Sequence, residues 1–581
     1  MRMLRKLPPS PSSWTNSTPG HQRLVWALML TAVALLAFLG LSNRILSGYI
    51  EPYIGGIVRG MASTGDFIVP RLNGHPYLEK PPLYYAIAAC CVRLFHSLEP
   101  WAMRLPSALL GLGTVIGVAR LGRRLGSERG GIWAGWMLAT SFLFFRVTHT
   151  LDMDAALTAF VTLAFGSVLL TLDGPERNTG AAPWFPVALA LAFLTKGPIG
   201  PAIVVLPLLV WAVARQDFVL LKQLFRPNWG WAVGMVLVVG WLAAFFDRGG
   251  WPYMAEAFLR NGVGRYWDDR ALTPVTHIYG LHQHPIWFYL RDAPGNMLPW
   301  TLPWIFALLD PLVSKRALRL PTWFRFAAFA FLVDLVLLSL SFTKRGAYLL
   351  PLMPLTLLAT GVWLDRNLED GTQIRRTRVV LYGTFLLIAL AAVGGAFMFS
   401  HMTHGKRLYT MLFSTLFLAV GFQCVRWVRG GHSAWAWHLT LGQATALFAS
   451  VLVIIAPVLN RKEQVMILPF QMAKQMEAGG FRVFEWRLQE NDLGYASTIL
   501  GHDIPSLDTL DQLRAELSQP GPVIVLVDPD AFPEGAEDAR LGTWVDLAEG
   551  KGKRLESRTT KLLANRPMEA LAGFLPRMDH L

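Results

Sequence analysis

Residues 64–83 read Thr-Gly-Asp-Phe-Ile-Val-Pro-Arg-Leu-Asn-Gly-His-Pro-Tyr-Leu-Glu-Lys-Pro-Pro-Leu, a stretch whose glycine, asparagine and proline punctuation makes it a shaped loop. Glu79 and Lys80 stand directly before Pro81-Pro82, which favour an extended approach and then a sharp helix start. A lysine held where a helix begins in a membrane interface can meet a lipid phosphate as a compact point charge. It can also snorkel as an interfacial anchor, and on spacing alone the anchor is the simpler reading. Asp152 has a similar double reading. Ahead of an apolar run that begins near Ala155 it is a favoured helix cap, or equally a carboxylate able to orient and deprotonate a nucleophile. Glu51 is either a second such acid or a solvated loop carboxylate. Arg265, in Asn261-Gly-Val-Gly-Arg-Tyr-Trp267, reads by itself as an interface anchor beside aromatics. His75, His277, His282 and His284 fit no ligand spacing and read as loop histidines. Cys90, Cys91 and Cys424 show neither metal spacing nor a plausible bridge, and read as small apolar filler.

The elements that must position these groups are hydrophobic. Of 581 residues, 53% are hydrophobic and only 16% charged, against about a quarter charged in ordinary globular domains. Apolar runs of roughly 15–22 residues recur along most of the chain, long enough to cross a hydrocarbon core as helices. This excludes a soluble multi-domain protein, a disordered chain and a disulfide scaffold; the absence of strand alternation argues against an outer-membrane barrel. The net charge of +14 sits in short clusters between the runs and not in an aromatic-studded basic stripe, so nucleic acid is a poor partner.

Spans are expected near residues 24–42, 105–121, 130–147, 154–172, 183–196, 200–214, 230–246, 297–311, 323–342, 347–364, 378–398, 408–427 and 435–456, about thirteen crossings. The run at 83–95 is short and carries Arg93, and suits a helix lying in the interface. With residues 1–23 as a cytoplasmic tail, the basic clusters Arg120–Arg129, Arg215–Arg226, Lys315–Arg319, Arg366–Arg378 and Arg426–Arg429 all fall inside, as the positive-inside rule requires. The first run lacks a small-residue cleavage signature and is read as a span, not a removed signal peptide. Two long outer loops, 43–104 and 247–296, then hold the unusual polar residues. Inside the spans charge is scarce, Asp334 being the exception, which suits an enzyme working at the outer interface better than a transporter. Residues 457–581 turn mixed-polar and outer. A helix over 463–477, a strand over 481–488, a helix over 507–517 capped by Ser506 or Asp508, and a buried strand over 522–528 make a small α/β domain, read as a lid or spacer.

Gly65 to Leu83 closely resembles the first-loop signature of bacterial membrane glycosyltransferases of the protein-mannosyltransferase superfamily, which have the GT-C fold. In particular it is similar to the branch containing the lipid A 4-amino-4-deoxy-L-arabinose transferase. The resemblance continues through Arg104-Leu-Pro-Ser107, Thr150-Leu-Asp-Met153, Leu194-Thr-Lys-Gly-Pro198, Arg265, Lys344-Arg345 and Tyr348-Leu-Leu-Pro-Leu-Met-Pro354, and more weakly to Gly494-Tyr495. The first-loop signature is specific, the 194–198 and 348–354 segments less so. It implies an all-α polytopic membrane protein of GT-C fold in a bacterial inner membrane, with an outer α/β domain and lipid contacts. Such an enzyme moves a sugar from an undecaprenyl-type polyprenyl-phosphate donor to an acceptor at the periplasmic face, generally with inversion. The acceptor is lipid A, another envelope glycan or a protein hydroxyl.

Carried over by position, the resemblance makes Asp152 the second-carboxylate candidate, Lys80 the phosphate ligand and Arg265 a further phosphate partner. Tyr77 and Glu79 line the same loop, and Tyr348 contacts the lipid region. Where the family opens its first loop with Asp-Glu and then Arg-Tyr, this chain has Ile50-Glu51 and Tyr53-Ile54; Asp154 stands where the family commonly has proline. Either the chemistry is altered, or Glu51, Asp66 and Asp154 share the carboxylate roles differently. Fixed cations suit a departing phosphate in a partly dry site; a divalent ion on Glu51 and Asp152 is the alternative. Lys196, ending a span before Gly197-Pro198, reads as structural or snorkelling, with carrier-lipid contact the lesser reading. Rival functions are a protein O-mannosyltransferase-like enzyme, a flippase for polyprenyl-linked sugars, and an inactive glycolipid-binding protein.

Overall fold

The computed structural model describes residues 19–48, 50–173, 180–264, 284–313, 320–341, 344–369, 374–402, 407–528, 543–545, 560–566 and 571. Arg265, His277, His282, most of the N-terminal tail and the basic cluster at 315–319 lie outside the described residues. Among those described, eight helices have the length and hydropathy to cross a membrane, the longest-buried being Gly346–Leu368 and Met153–Asp173. Shorter apolar helices at Arg23–Phe38, Trp184–Lys196, Ile199–Arg215 and Thr301–Asp310 fill further expected runs.

One expected span is broken. Residues 128–148 form α5 (Glu128–Ala139) and α6 (Phe142–Thr148), interrupted at Thr140-Ser141. The freed polar groups find partners at depth, as a lipid setting demands. The Thr140 and Ser141 hydroxyls donate to the carbonyls of Trp136 and Met137, and the Trp300 indole donates to the Thr140 carbonyl at 3.0 Å.

The first outer loop carries two short helices, α2 (Glu51–Thr64) and α3 (Leu83–Phe95). Pro82 precedes α3, as the double proline dictates. One face of α3 buries Tyr84, Tyr85, Ala88, Ala89 and Val92, while Leu94 and Phe95 are exposed, the pattern of an amphipathic interfacial helix. Between them Arg71–Leu72 and His75–Pro76 pair as a two-stranded ribbon. Asn73 and Gly74 both take positive φ (50° and 80°), which Asn-Gly accepts at little cost in a tight hairpin turn.

The C-terminal residues form a four-stranded sheet. Strands Arg482–Trp486 and Val523–Val527 pair in parallel, then Lys561–Ala564 and Thr543–Val545 follow antiparallel. Val523–Val527 is buried at every position. The expected helix at 463–477 is instead a 3-10 turn, Gln464–Ile467, leading into Leu468–Ala478, because Pro469 suits the first turn of a new helix. Helix Leu510–Leu517 is capped by Thr509, not by Ser506 or Asp508. Thr509 and Gln512 form a reciprocal capping box, the Thr-x-x-Gln pattern.

This sheet unit is fastened to the first loop. The helix Glu490–Leu500 packs on α2 through glycines, and a Cβ on Gly494 would lie 2.2 Å from the Pro52 carbonyl oxygen. The Asn73 side chain accepts from the Ile504 amide at 2.7 Å and donates to its carbonyl at 2.9 Å, and Arg59 ion-pairs with Asp503.

On its inner side the loop is held by Arg104, 1% exposed, on α4 (Pro100–Arg124). Its guanidinium forks onto Glu51 at 2.7 Å twice and donates to the carbonyls of Leu41, Arg44 and Ile45. Removing one member of a buried ion pair strands the other. Arg104→Met is therefore expected to destabilise the protein by about 3–5 kcal/mol, read as a lowered unfolding midpoint in detergent.

Candidate functional site

Each group expected to do chemistry has a distinct position. Glu51 begins α2 and is 2% exposed. Besides Arg104, its oxygens accept from the amides of Ser47 (3.0 Å) and Leu151 (2.8 Å), with Arg44 at 3.4 Å. Burial pushes its carboxyl up, but Arg104, Arg44 and the Ser47 amide more than offset this and hold it below its ordinary value. Glu51 is thus a saturated anion that holds the backbone next to Asp152. It is a poor metal partner for Asp152, since both its oxygens are engaged, and no cluster of three or more His, Cys, Asp or Glu is gathered among the described residues.

Asp152 precedes α7 (Met153–Asp173) and is buried. Its Oδ1 accepts the Asp154 amide at 2.9 Å, so the capping reading is geometrically met. Its other oxygen is not consumed by that bond. Burial and the neighbouring Asp154 charge push its carboxyl up to about 6, while the Asp154 amide, Arg345 and Lys196 pull the other way. A carboxylate with this value is a better proton acceptor near neutral pH than an ordinary aspartate.

Asp66 has a structural job. Gly65, at φ 74°, ends α2, and Asp66 Oδ1 then accepts the Ile68 amide at 3.0 Å in an Asx turn. Its Oδ2 pairs with Arg248 at 2.9 Å, tying the loop to α11 (Trp229–Met254).

Glu79 and Lys80 face a cavity of about 260 Å³ whose other walls include Lys196, Tyr348, Ser341, Trp241 and Phe258. The cavity is apolar toward α9 (Ile199–Arg215) and the helix Thr322–Leu340, and charged at the loop end, where Glu79 and Lys80 stand. Lys196 ion-pairs with Asp154 and places its ammonium 4.4 Å from the Tyr348 ring centroid. Tyr53 senses both Glu79 and Asp152 electrostatically, as well as Arg345.

Beside this lies a nest of phenols. Tyr53 stacks on Tyr77 at 5.7 Å, Tyr77 meets Tyr85 edge-on at 6.5 Å, and Tyr84 shares a 2.6 Å hydrogen bond with Ser107. Burial raises all four phenol pKa values, so each hydroxyl stays protonated and can donate. The Tyr85 hydroxyl is buried without a hydrogen-bond partner among the described residues. Glu490, from the C-terminal unit, contributes a charge that reaches Tyr53, Tyr77 and Tyr85.

Of the expected groups, Lys80, Glu79 and Tyr348 wall one cavity, Tyr77 and Asp152 lie off its wall within electrostatic reach of Glu79 and Lys196 respectively, and Glu51 and Asp66 brace the loop. Lys196, expected as structural or snorkelling with carrier-lipid contact the lesser reading, also walls the cavity and pairs with Asp154, one of the carboxylates expected to share roles; Arg345 and Tyr53, which had no expected role, lie within electrostatic reach of Asp152. The signal for Lys196 was its place in Leu194-Thr-Lys-Gly-Pro198; nothing local distinguished Tyr53.

A family model for dolichyl-phosphate-mannose-protein mannosyltransferases matches residues 79–243, from the Glu79-Lys80 pair into α11. An undecaprenyl phosphate-alpha-4-amino-4-deoxy-L-arabinose arabinosyl transferase of Pseudomonas paraeruginosa is 27% identical over 521 residues, covering 86% of this chain and 88% of its own length. One from Aeromonas salmonicida is 25% identical over 550 residues, covering 90% and 93%. The crystal structure of ArnT from Cupriavidus metallidurans bound to undecaprenyl phosphate superposes with a TM-score of 0.72 at 20% identity, over 93% of this chain and 98% of that one. Its apo form gives 0.73 at 19% identity, over 96% and 100%. The chain has the GT-C fold of these multi-pass membrane glycosyltransferases.

A reaction that uses Asp152 as its base needs the ionised form, so its rate is expected to fall as pH drops through about 6. Asp154→Asn removes the neighbouring negative charge that raises Asp152, and moves that limb to lower pH. A pH–rate profile of the purified protein checks both.

Proposed function

We propose that the chain transfers a sugar from a polyprenyl-phosphate donor to an envelope acceptor at the periplasmic face of a bacterial inner membrane. The observation that carries this is the single cavity walled by Lys80, Glu79, Lys196 and Tyr348, greasy along one side and charged at the loop end, beside a buried carboxylate at Asp152. A polyprenyl chain suits the apolar wall, and its phosphate suits Lys80. The donor class named for the relatives, an undecaprenyl phosphate-linked aminoarabinose, fits this division.

In the reaction, a hydroxyl or amine of the acceptor attacks the anomeric carbon, forming the new glycosidic bond as the bond to the phosphate oxygen breaks. The electron pair leaves with the polyprenyl phosphate, and the nucleophile's proton goes to Asp152. Attack opposite the leaving group inverts the anomeric centre. Lys80 stabilises the charge that grows on the phosphate, and Arg265 is its proposed second partner. Glu79, Tyr53 and Tyr77 orient the sugar by hydrogen bonds and stacking. Glu51 and Asp66 act through the loop, Glu51 by fixing the Leu151 amide next to Asp152 and Asp66 by setting the turn that leads to Lys80.

The N-terminus is cytoplasmic in this reading, residues 24–456 hold the catalytic bundle, and 457–581 form a periplasmic cover. Lipid A is the favoured acceptor, because relatives matched over most of their length carry that branch's donor name. A flippase has less support: Asp334, the mid-span carboxylate, is not among the residues walling the cavity.

Purified full-length protein given a radiolabelled undecaprenyl-phosphate sugar and lipid A tests the proposal. Lys80→Ala is expected to lower transfer on the order of 10²–10³-fold, and Asp152→Asn to abolish its pH dependence along with most of the rate. Undiminished turnover in both variants rejects the site. Mass spectrometry of lipid A from a deletion strain identifies the acceptor, which is another envelope glycan or a protein if lipid A is unchanged.

A further inference from the structure

Lys196 is placed with unusual care for a residue that ends a membrane helix. α8 (Trp184–Lys196) stops because Gly197 adopts φ 72°, ψ −154°, a region that side chains other than glycine's avoid. This leaves Lys196 at the negative end of the helix dipole, where a cation is stabilised. Its ammonium is held from two sides, by the Asp154 carboxylate and the face of Tyr348. It nevertheless remains on the wall of the cavity that Lys80 also walls. Two lysines from different segments, the first loop and α8, thus converge on one small apolar chamber.

We propose that Lys196 is a second ligand for the donor phosphate, held in the resting protein by Asp154 and handed to the phosphate during transfer. This rests on the glycosyltransferase reading and names a residue that reading does not require. A buried ion pair has little net charge with which to attract an anion, so Asp154 masks Lys196 until a phosphate competes for it. The ammonium has three donors and can bridge a carboxylate and a phosphate oxygen together.

Bond making then shifts the balance. When the acceptor's proton reaches Asp152, one carboxylate facing Lys196 and Arg345 becomes neutral. In the same step the C–O bond to the phosphate breaks and the phosphate gains a full negative charge. The cation is released toward the leaving group as that group's demand rises.

The proposal makes the two partners of one ion pair behave in opposite ways, which a merely structural pair does not. The probe is radiolabelled undecaprenyl phosphate, bound to the full-length protein in nanodiscs. Lys196→Met is expected to weaken binding roughly tenfold or more, the worth of one charge-assisted hydrogen bond, and Lys196→Arg to restore most of it. Asp154→Asn is expected to tighten binding, because it unmasks Lys196. Unchanged affinity in Lys196→Met, or weaker binding in Asp154→Asn, overturns the proposal. If Lys196→Met does not fold, the Asp154→Asn result decides alone. Lys80→Ala separates the two levels. If wild type binds the probe and Lys80→Ala loses it while Lys196→Met keeps it, only the role of Lys196 falls; if wild type does not bind, the donor reading falls.

Discussion

The fork between Arg104 and Glu51 is the contact on which the outer face depends. A guanidinium and a carboxylate at 1% and 2% exposure are costly to desolvate, and the cost is recovered only when every donor and acceptor is used. Here they are. Arg104 serves three backbone carbonyls of the segment entering α2 as well as Glu51, and Glu51 in turn takes the amides of Ser47 and Leu151. One ion pair thereby joins the segment 41–47 ahead of α2, α4 and the turn before α7. That turn carries Asp152, so the carboxylate proposed as base is fixed by a network that does none of the chemistry.

This explains how a chain with Ile50 and Glu51 at the opening of its first loop keeps an ordered site. Glu51 is committed to structure, and the negative charge near the cavity comes from Glu79 on its wall and from the two aspartates at the start of α7. The aspartates differ in environment. Asp154 is neutralised by Lys196, whereas Asp152 has burial and a like charge against it. Raising one buried carboxylate in this way is a common route to a group that accepts protons near neutral pH. Burial is the larger cause, and Asp154, at a position commonly proline in the family the chain resembles, adds its like charge.

Much of the architecture was legible because membrane spans are written in length and apolarity. The expected runs recur as helices, and Pro81-Pro82 opened α3 at Leu83. The break at Thr140-Ser141 was not legible, because hydrophobicity continues through it and the compensating indole is Trp300, 160 positions away. The site divides along the same line. Lys80, Glu79 and Asp152 stood out by local sequence and by resemblance. Glu51's commitment to Arg104 and Lys196's to Asp154 depend on partners 53 and 42 residues distant, and periodicity carries no trace of such pairings. The capping box at Thr509 was readable from Thr-x-x-Gln, yet Ser506 and Asp508 offered equally good caps in isolation.

The C-terminal unit completes the constraint from the other side. Its grip on the first loop is made of contacts that tolerate no slack: glycine against backbone at Gly494, a reciprocal amide pair at Asn73, and the Arg59–Asp503 ion pair. These bind α2 and the hairpin, which lead directly into Glu79 and Lys80 ahead of α3. The loop is therefore clamped by Arg104 from the bundle and by this sheet unit from outside. A lysine that must meet a phosphate whose charge rises only in the transition state gains most from being fixed beforehand, since reorganisation at that moment would cancel the electrostatic advantage. The unit described at the sequence level as a lid or spacer thus has a mechanical role that needs no chemistry of its own, while Glu490 brings one of its charges within reach of the tyrosines.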